Sequence, residues 1–184
     1  MLESPVQNVS AIWPEMITVN SGENLATLSD KQPVLLVFLR HFGCSFCREA
    51  VTDIARVRPE LEKNGLRIVL VHMAAEPEIA NKFFKRFNLF PVDHIADPEK
   101  RFYRAFGLGR GTPAQLFGLM SWIRGFESAV VNGHGMQPPN EDIGDGFQMP
   151  GVFVLFKGEI KNSFVHGMSH DRPDYLEIVR CCAF

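Results

Sequence analysis

The apolar positions follow two rules, and the rule alternates along the chain. Val34-Leu35-Leu36-Val37-Phe38-Leu39 is apolar at every position after Pro33. Six such residues behind a proline are too few for a buried helix and suit a strand covered on both faces. Residues 66–73 repeat that pattern, and His94-Ile95-Ala96 is a shorter strand candidate. Between these runs the spacing turns helical. Ala50, Val51, Ile54, Ala55, Val57 and Leu61 form one such series; Ile79, Ala80, Phe83, Phe84 and Phe87 form the next. Pro59 predicts a kink or break in the first helix. Asn64-Gly65 predicts its stop, and Pro77 opens the second. Asp97-Pro98 marks a turn before a short helix over 99–106.

The two ends read differently. Residues 1–32 hold turn-prone positions and two short extended candidates, 16–19 and 25–28, the latter followed by the Ser29-Asp30 turn. At the other end, 152–156 and 160–166 are strands joined by Lys157-Gly158-Glu159, the pattern of a hairpin. A helix over 172–182 closes the chain, with Pro173 in its first turn. Strands alternating with helices predict a parallel central sheet. The hairpin adds antiparallel strands, so the class is α/β with a mixed sheet and helices on both faces.

Residues 107–151 change character: ten of the fifteen glycines fall there, with Pro138-Pro139. Only 113–126 has helical spacing. With too few apolar residues for a core of its own, this stretch reads as an insertion within a single domain spanning 1–184.

Composition narrows the function. A length of 184 residues is one domain's worth, and 46% apolar with 22% charged residues suits a packed globule. The formal charge of −2 gives no cationic excess for nucleic acid. The longest strongly apolar run is 34–39, against about 20 residues for a membrane-spanning helix, so no membrane partner is expected. The first six residues carry no basic stretch followed by an apolar one, which makes cytoplasm the expected location. Four cysteines are too few for a disulfide scaffold.

The chemistry concentrates in Cys44-Ser45-Phe46-Cys47, placed between a buried strand and a helix. A thiolate at a helix N-terminus faces unpaired N–H groups that favour negative charge. Arg40, His41 and Arg48 flank the pair and are candidates for stabilising a thiolate. The spacing lets the second thiol attack a disulfide made by the first. Strand, C-x-x-C and helix in a βαβ pattern is a stronger signal than the spacing alone. Structural zinc needs four ligands, and Cys181-Cys182 supplies only adjacent cysteines; no metal site and no cofactor are expected. Two buried inert cysteines are the other plain reading. Gly107-Leu108-Gly109-Arg110-Gly111-Thr112 lacks the Gly-Lys-Ser/Thr ending of a phosphate loop and reads as a flexible loop. Arg110 and Arg124 are further cations that could reach the thiols, His134 and His170 read as surface histidines, and Cys181-Cys182 is a candidate resolving pair or simple packing.

The stretch Val37-Phe38-Leu39-Arg40-His41-Phe42-Gly43-Cys44-Ser45-Phe46-Cys47-Arg48-Glu49 resembles the thioredoxin-like superfamily, and within it the peroxiredoxin-like AhpC/TSA antioxidant proteins. The segment from Asp97 to Leu108, Gln148-Met149-Pro150-Gly151 with the strand behind it, and Asp171-Arg172-Pro173-Asp174 are similar to the same group. The resemblance covers roughly 16–180. It implies a thioredoxin-like fold and a cis proline at Met149-Pro150 that shapes a substrate groove facing the thiols. Against the peroxiredoxin pattern Pro-x-x-x-Thr-x-x-Cys, Arg40 stands at the proline and Cys44 at the threonine if Cys47 takes the cysteine place. Against thioredoxin, Ser-Phe replaces Gly-Pro between the cysteines.

The expected activity is that of a thiol–disulfide oxidoreductase or a thiol-dependent peroxidase. Its substrate is a protein or small-molecule disulfide, or a peroxide, and a cellular thiol is the reductant. Cys44, expected to be the more exposed thiol, attacks and Cys47 resolves; in the peroxidase reading those roles reverse. The competing class is a non-catalytic binding scaffold or redox switch on the same fold.

Overall fold

The computed structural model describes residues 9–112, 145–168 and 171–182. A 3-10 helix, Val9–Glu15, is followed by α1 (Leu25–Lys31), β1 (Val34–Phe38), α2 (Ser45–Lys63), β2 (Arg67–His72), α3 (Pro77–Arg86), β3 (Asp93–Ala96), α4 (Arg101–Ala105), β4 (Gly151–Phe156), β5 (Glu159–Val165) and α5 (Tyr175–Arg180). The five strands form one sheet in the order β3-β2-β1-β4-β5. β1 pairs parallel with β2, and β2 with β3; β4 runs antiparallel to both β1 and β5.

The uninterrupted apolar runs are explained by two cores, one on each face. Leu35, Val37, Leu70 and Val154 point to one side, against Val51, Ile54 and Leu61 of α2, Phe84 of α3 and Tyr175 of α5. Leu36, Phe38, Val71 and Phe153 point to the other, against Trp13, Leu25 and Leu28, and Tyr103 of α4. β1 therefore sits in the middle of the sheet with both faces buried, and its C-terminal end delivers the chain to the cysteine segment.

Several local expectations need correction. Residues 25–28 begin a helix, α1. Asn24 caps it by accepting the Thr27 N–H at 2.8 Å, and Leu25 and Leu28, three apart, share its buried face. Residues 16–19 form no strand; Ile17 makes a single bridge to Asn24, and Val19 donates once to His94. The sheet accordingly lacks the extra strand that the sequence pattern suggested. α2 continues through Pro59, since its packed face, with Ile54 before the proline and Leu61 after it, holds the helix together. α5 starts later than expected, at Tyr175, because Asp174 caps it by accepting from Leu176 and Glu177. Pro173 thus precedes the cap.

Elsewhere the pattern transfers directly. Gly65 ends α2 with φ +78°. Lys157 and Gly158 both take positive φ, as a two-residue hairpin turn requires. Asp97 accepts the N–H groups of Arg101, Phe102 and Tyr103 and so launches α4. The two ends of the glycine-rich stretch meet: Arg110 bridges to Gln148, and Gly111 donates to Phe147. The helical expectation for 113–126 lies outside the described residues.

Candidate active site

Leu39 to Gly43 form a buried loop between β1 and α2. The Cys44 N–H donates to the His41 carbonyl at 3.0 Å, and the Cys44 carbonyl accepts from Arg48 at 3.2 Å, which makes Cys44 the N-cap of α2. Cys47 stands on the first turn. Both thiols are free and both are buried, 5% exposed for Cys44 and 4% for Cys47. Residue exposure therefore does not distinguish them, and the expectation of a more exposed Cys44 is not met.

Charge and hydrogen bonding do distinguish them. Arg40 reaches both sulfurs: its backbone N–H donates to Cys47 Sγ at 3.1 Å, and its Nη1 lies 3.6 Å from Cys44 Sγ. The guanidinium is held by the Gly146 carbonyl, through Nε at 2.9 Å and also through Nη2. The Cys47 thiol donates to Cys44, and this bond is the largest influence lowering Cys44. Burial opposes it, while Arg40 and the N–H groups of Cys47 and Phe46 add to it, leaving Cys44 at about 6. Cys47 moves the opposite way. Burial pushes it up, and donating to a charged neighbour keeps its proton in place.

The other flanking candidates divide. His41 is lowered to about 4, first by burial and then by Arg40 and Arg48. It is neutral near pH 7 and contributes its carbonyl to the turn, not a positive charge to the thiolate. Arg48 donates from Nε to the Phe42 carbonyl at 3.1 Å and fixes the loop, while its charge still acts on both thiols. Arg110 turns to Asp145 Oδ2 at 3.3 Å. Arg124, His134 and His170 lie outside the described residues.

A partly open pocket beside the pair is lined by Arg40, Cys47, Pro150, His166, Arg172 and Tyr175, among others, and offers about 30 Å³ of space. That is room for roughly two waters. Pro150 and Cys47 line this same pocket. Met149 is buried and does not line the pocket; its N–H donates to Gly109 at 3.1 Å. The expected cis bond is not there. Among the described residues the cis bond is Phe90-Pro91. Gln148 bridges to Arg110 and Met149 donates to Gly109, which ties the segment before Pro150 to residues 109–110, and Met149-Pro150 keeps the ordinary trans preference.

Three features were not anticipated. Arg172 clamps α2 to the segment before α5, with Nε and Nη2 each 2.8 Å from an Asp53 oxygen and Nη1 2.9 Å from Glu49. The Tyr103 hydroxyl, carried by the second core, donates to the carbonyls of Leu39 and Val71 at the strand ends below the loop. His166 enters the pocket from the end of β5. Only Arg172 had a sequence signal, in the Asp-Arg-Pro-Asp segment. Cys181 and Cys182 are remote. Arg180 pairs with Glu60 near the far end of α2, thirteen residues beyond Cys47, or about 20 Å along a helix. Among the described residues no group of three or more His, Cys, Asp or Glu is placed to hold a metal ion, and no helix is long and apolar enough to cross a membrane.

Comparison with known proteins places the fold and the family. A family model described as AhpC/TSA antioxidant enzyme matches residues 53–170, a stretch that starts downstream of Cys47. The prostamide/prostaglandin F synthase of Salmo salar is 32% identical over 162 residues, 86% of this chain and 78% of that protein. Peroxiredoxin-like 2C of Bos taurus is 26% identical over 148 residues, 75% of this chain and 60% of that protein. Among solved structures, a peroxiredoxin 6 variant of Arenicola marina superposes with a TM-score of 0.58 at 12% identity, over 85% of this chain and 62% of that one. A thiol:disulfide interchange protein of Chlorobium tepidum gives 0.53 at 17% identity, over 90% of each. These structures share the thioredoxin-like fold, and by the family match and its Salmo salar relative the chain belongs to the AhpC/TSA antioxidant enzyme family.

Proposed function

We propose that the protein is a thiol–disulfide oxidoreductase or thiol-dependent peroxidase in which Cys44 attacks and Cys47 resolves. The observation that carries this reading is the pairing of a thiolate-favouring Cys44 with a proton-holding Cys47 under one buried cation, Arg40. A thiol near 6 is mostly thiolate at neutral pH, and the thiolate is the nucleophile. Attack on a disulfide makes a mixed disulfide at Cys44; attack on a peroxide makes a sulfenic acid. Cys47 then closes the Cys44–Cys47 bond. A cellular thiol in a reducing compartment, the cytoplasm, returns the pair to dithiol. Pro150 forms one wall of the substrate groove, and residues 107–151 are an insertion in a single domain.

The pocket favours a second reading. It opens onto Cys47 and has room for a small peroxide, so the roles reverse if peroxide enters there. Stopped-flow reaction of reduced wild type, Cys44→Ser and Cys47→Ser with hydrogen peroxide and with a small disulfide separates the two. Loss of the disulfide reaction in Cys44→Ser, with Cys47→Ser stopping at a mixed disulfide, is the expected result. Peroxide consumption lost in Cys47→Ser and kept in Cys44→Ser assigns attack to Cys47. A lipid peroxide belongs in the same assay, since the Salmo salar relative is named for prostamide and prostaglandin F synthesis. Two ordinary thiol titrations without turnover in any arm favour the scaffold or redox-switch class.

A further inference from the structure

The pocket at Cys47 holds a base that the thiol pair has not so far required. We propose that His166 is the proton acceptor for Cys47 as Cys47 turns from thiol to attacking sulfur, a role that rests on the thiol chemistry proposed above.

The placement comes from the hairpin. Val165 pairs with Gly151, so the next residue, His166, lies beside Pro150 at the pocket wall. The Phe164 ring stands edge-on to the imidazole with centroids 5.0 Å apart. Nδ1 is buried and has no hydrogen-bond partner. Burial lowers His166 to about 4, so at rest it is neutral, while Asp171 and the Pro150 carbonyl both favour its charged form. These two lessen the cost of a transient imidazolium, though burial outweighs them.

The other titratable or charged groups lining this pocket are committed elsewhere. Arg40 donates to the Gly146 carbonyl and has no lone pair to accept a proton. Glu49 is paired with Arg172 at 2.9 Å. Asp171 accepts the N–H groups of Gly167 and Met168 at 2.7 Å each. Burial holds the Tyr175 hydroxyl protonated.

The step follows from the reaction order. In the mixed disulfide, Cys44 no longer carries charge or accepts the Cys47 hydrogen bond. Both had helped hold the Cys47 proton. The proton passes from Cys47 through the water-sized space of the pocket to the His166 imidazole while the sulfur attacks Cys44. The Cys44–Cys47 bond forms and the bond from Cys44 to the substrate sulfur breaks. That sulfur leaves with the electron pair and takes the proton from the imidazolium, ending as a thiol. Two electrons have moved from the dithiol to the substrate disulfide. With a sulfenic acid at Cys44, hydroxide leaves in the same way and ends as water.

An aromatic disulfide that releases a coloured thiolate reads the two steps separately: the first equivalent reports attack by Cys44, the second reports resolution. In His166→Gln and His166→Ala the first phase remains and the second slows by about 100-fold, within the range for loss of a general base. Added imidazole restores the second phase in His166→Ala, which a purely structural role does not predict. Should the variants fail to fold, the wild-type second phase is compared in light and heavy water and is expected to be slower in heavy water. A second phase of wild-type speed in the variants, no rescue by imidazole, or equal rates in the two solvents overturns the role of His166. Absence of the first phase in wild type overturns the thiol reading itself and this proposal with it.

Discussion

Replacing Arg40 with Met removes the cation at the pair and leaves the backbone N–H that donates to Cys47 in place. The guanidinium lies 3.6 Å from Cys44 Sγ. At an effective dielectric of about 20, two unit charges at that distance attract by about 4–5 kcal/mol, a ceiling for this pair. Cys44 falls from 9.0 to about 6, which is worth about 4 kcal/mol in all. The Cys47 hydrogen bond supplies the largest part, Arg40 follows, and burial subtracts. Loss of Arg40 should therefore raise Cys44 by about one unit, a tenfold change in its acid constant. The assay is the pH dependence of iodoacetamide alkylation of the reduced protein, with the modified residue identified by mass spectrometry. The midpoint is expected to move up, and Arg40→Lys, a point charge without the planar fork, should fall between. An unmoved midpoint in Arg40→Met refutes the assignment of the cation to Cys44. Stability provides a second reading. A thiol depressed on folding contributes stability that is full above its unfolded value of 9.0 and is lost as pH falls through about 6. The reduced variant should lose that contribution at a higher pH than wild type. Its urea midpoint should also drop, because the Gly146 carbonyl loses its buried donors, a change of about 1–3 kcal/mol.

Two further outcomes test the frame around the site. Asp53→Ala should cost about 1–2 kcal/mol in urea unfolding with an unchanged slope, the value for charge-assisted bonds discounted because the Arg172 side chain is 43% exposed; a loss below about 0.5 kcal/mol would show that the Arg172 clamp does not hold α2. His72, which is lowered to about 3 by burial and then by His94, bonds His94 Nδ1 through Nε2 at 2.8 Å. Wild type should lose stability as pH falls from 6.5 towards 3, because only the unfolded chain takes up that proton. In His72→Gln the slope over this window should be shallower by up to about 1.4 kcal/mol per pH unit, and an unchanged slope counts against burial of a neutral His72.

The sheet and the thiol pair were legible because each rests on a local signal. Both faces of β1 are covered, so its five apolar residues could be read without knowing what covers them. Cys44 and Cys47 follow it directly and sit where a helix must begin. The N-terminal region misled for the opposite reason. Residues 25–28 are too few to show helical period, and what makes them helical is the Asn24 cap and the sheet face beneath. Met149-Pro150 failed as a cis bond because resemblance carried the position of the proline but not its backbone geometry. Arg172 and Asp53, which pair, and His166 and Cys47, which line one pocket, are separated by more than a hundred residues, and no spacing rule connects them. His41 shows a subtler failure. Sequence neighbours count it as a cation, whereas burial between two arginines removes its proton.

Burial alone would leave both thiols protonated and inert, since desolvation raises each of them. Reactivity in so closed a site depends on breaking the symmetry of the pair. Arg40 touches both sulfurs, but with different groups. A neutral backbone donor meets Cys47 and a full charge meets Cys44. The helix start reinforces the same choice, because the N–H groups of Phe46 and Cys47 act on Cys44. On the proposed chemistry this asymmetry also sets the direction of the redox bias. In the dithiol, the guanidinium and the Cys44 thiolate neutralise one another out of water. In the disulfide the anion is gone, and the guanidinium keeps the Gly146 carbonyl. A buried charge that has lost its counter-charge is unfavourable, so Arg40 stabilises the reduced form relative to the oxidised one. Stabilising the reduced form is what makes a thiol pair a stronger oxidant. The cation that activates Cys44 as a nucleophile therefore also shifts the pair toward accepting electrons once its disulfide has formed.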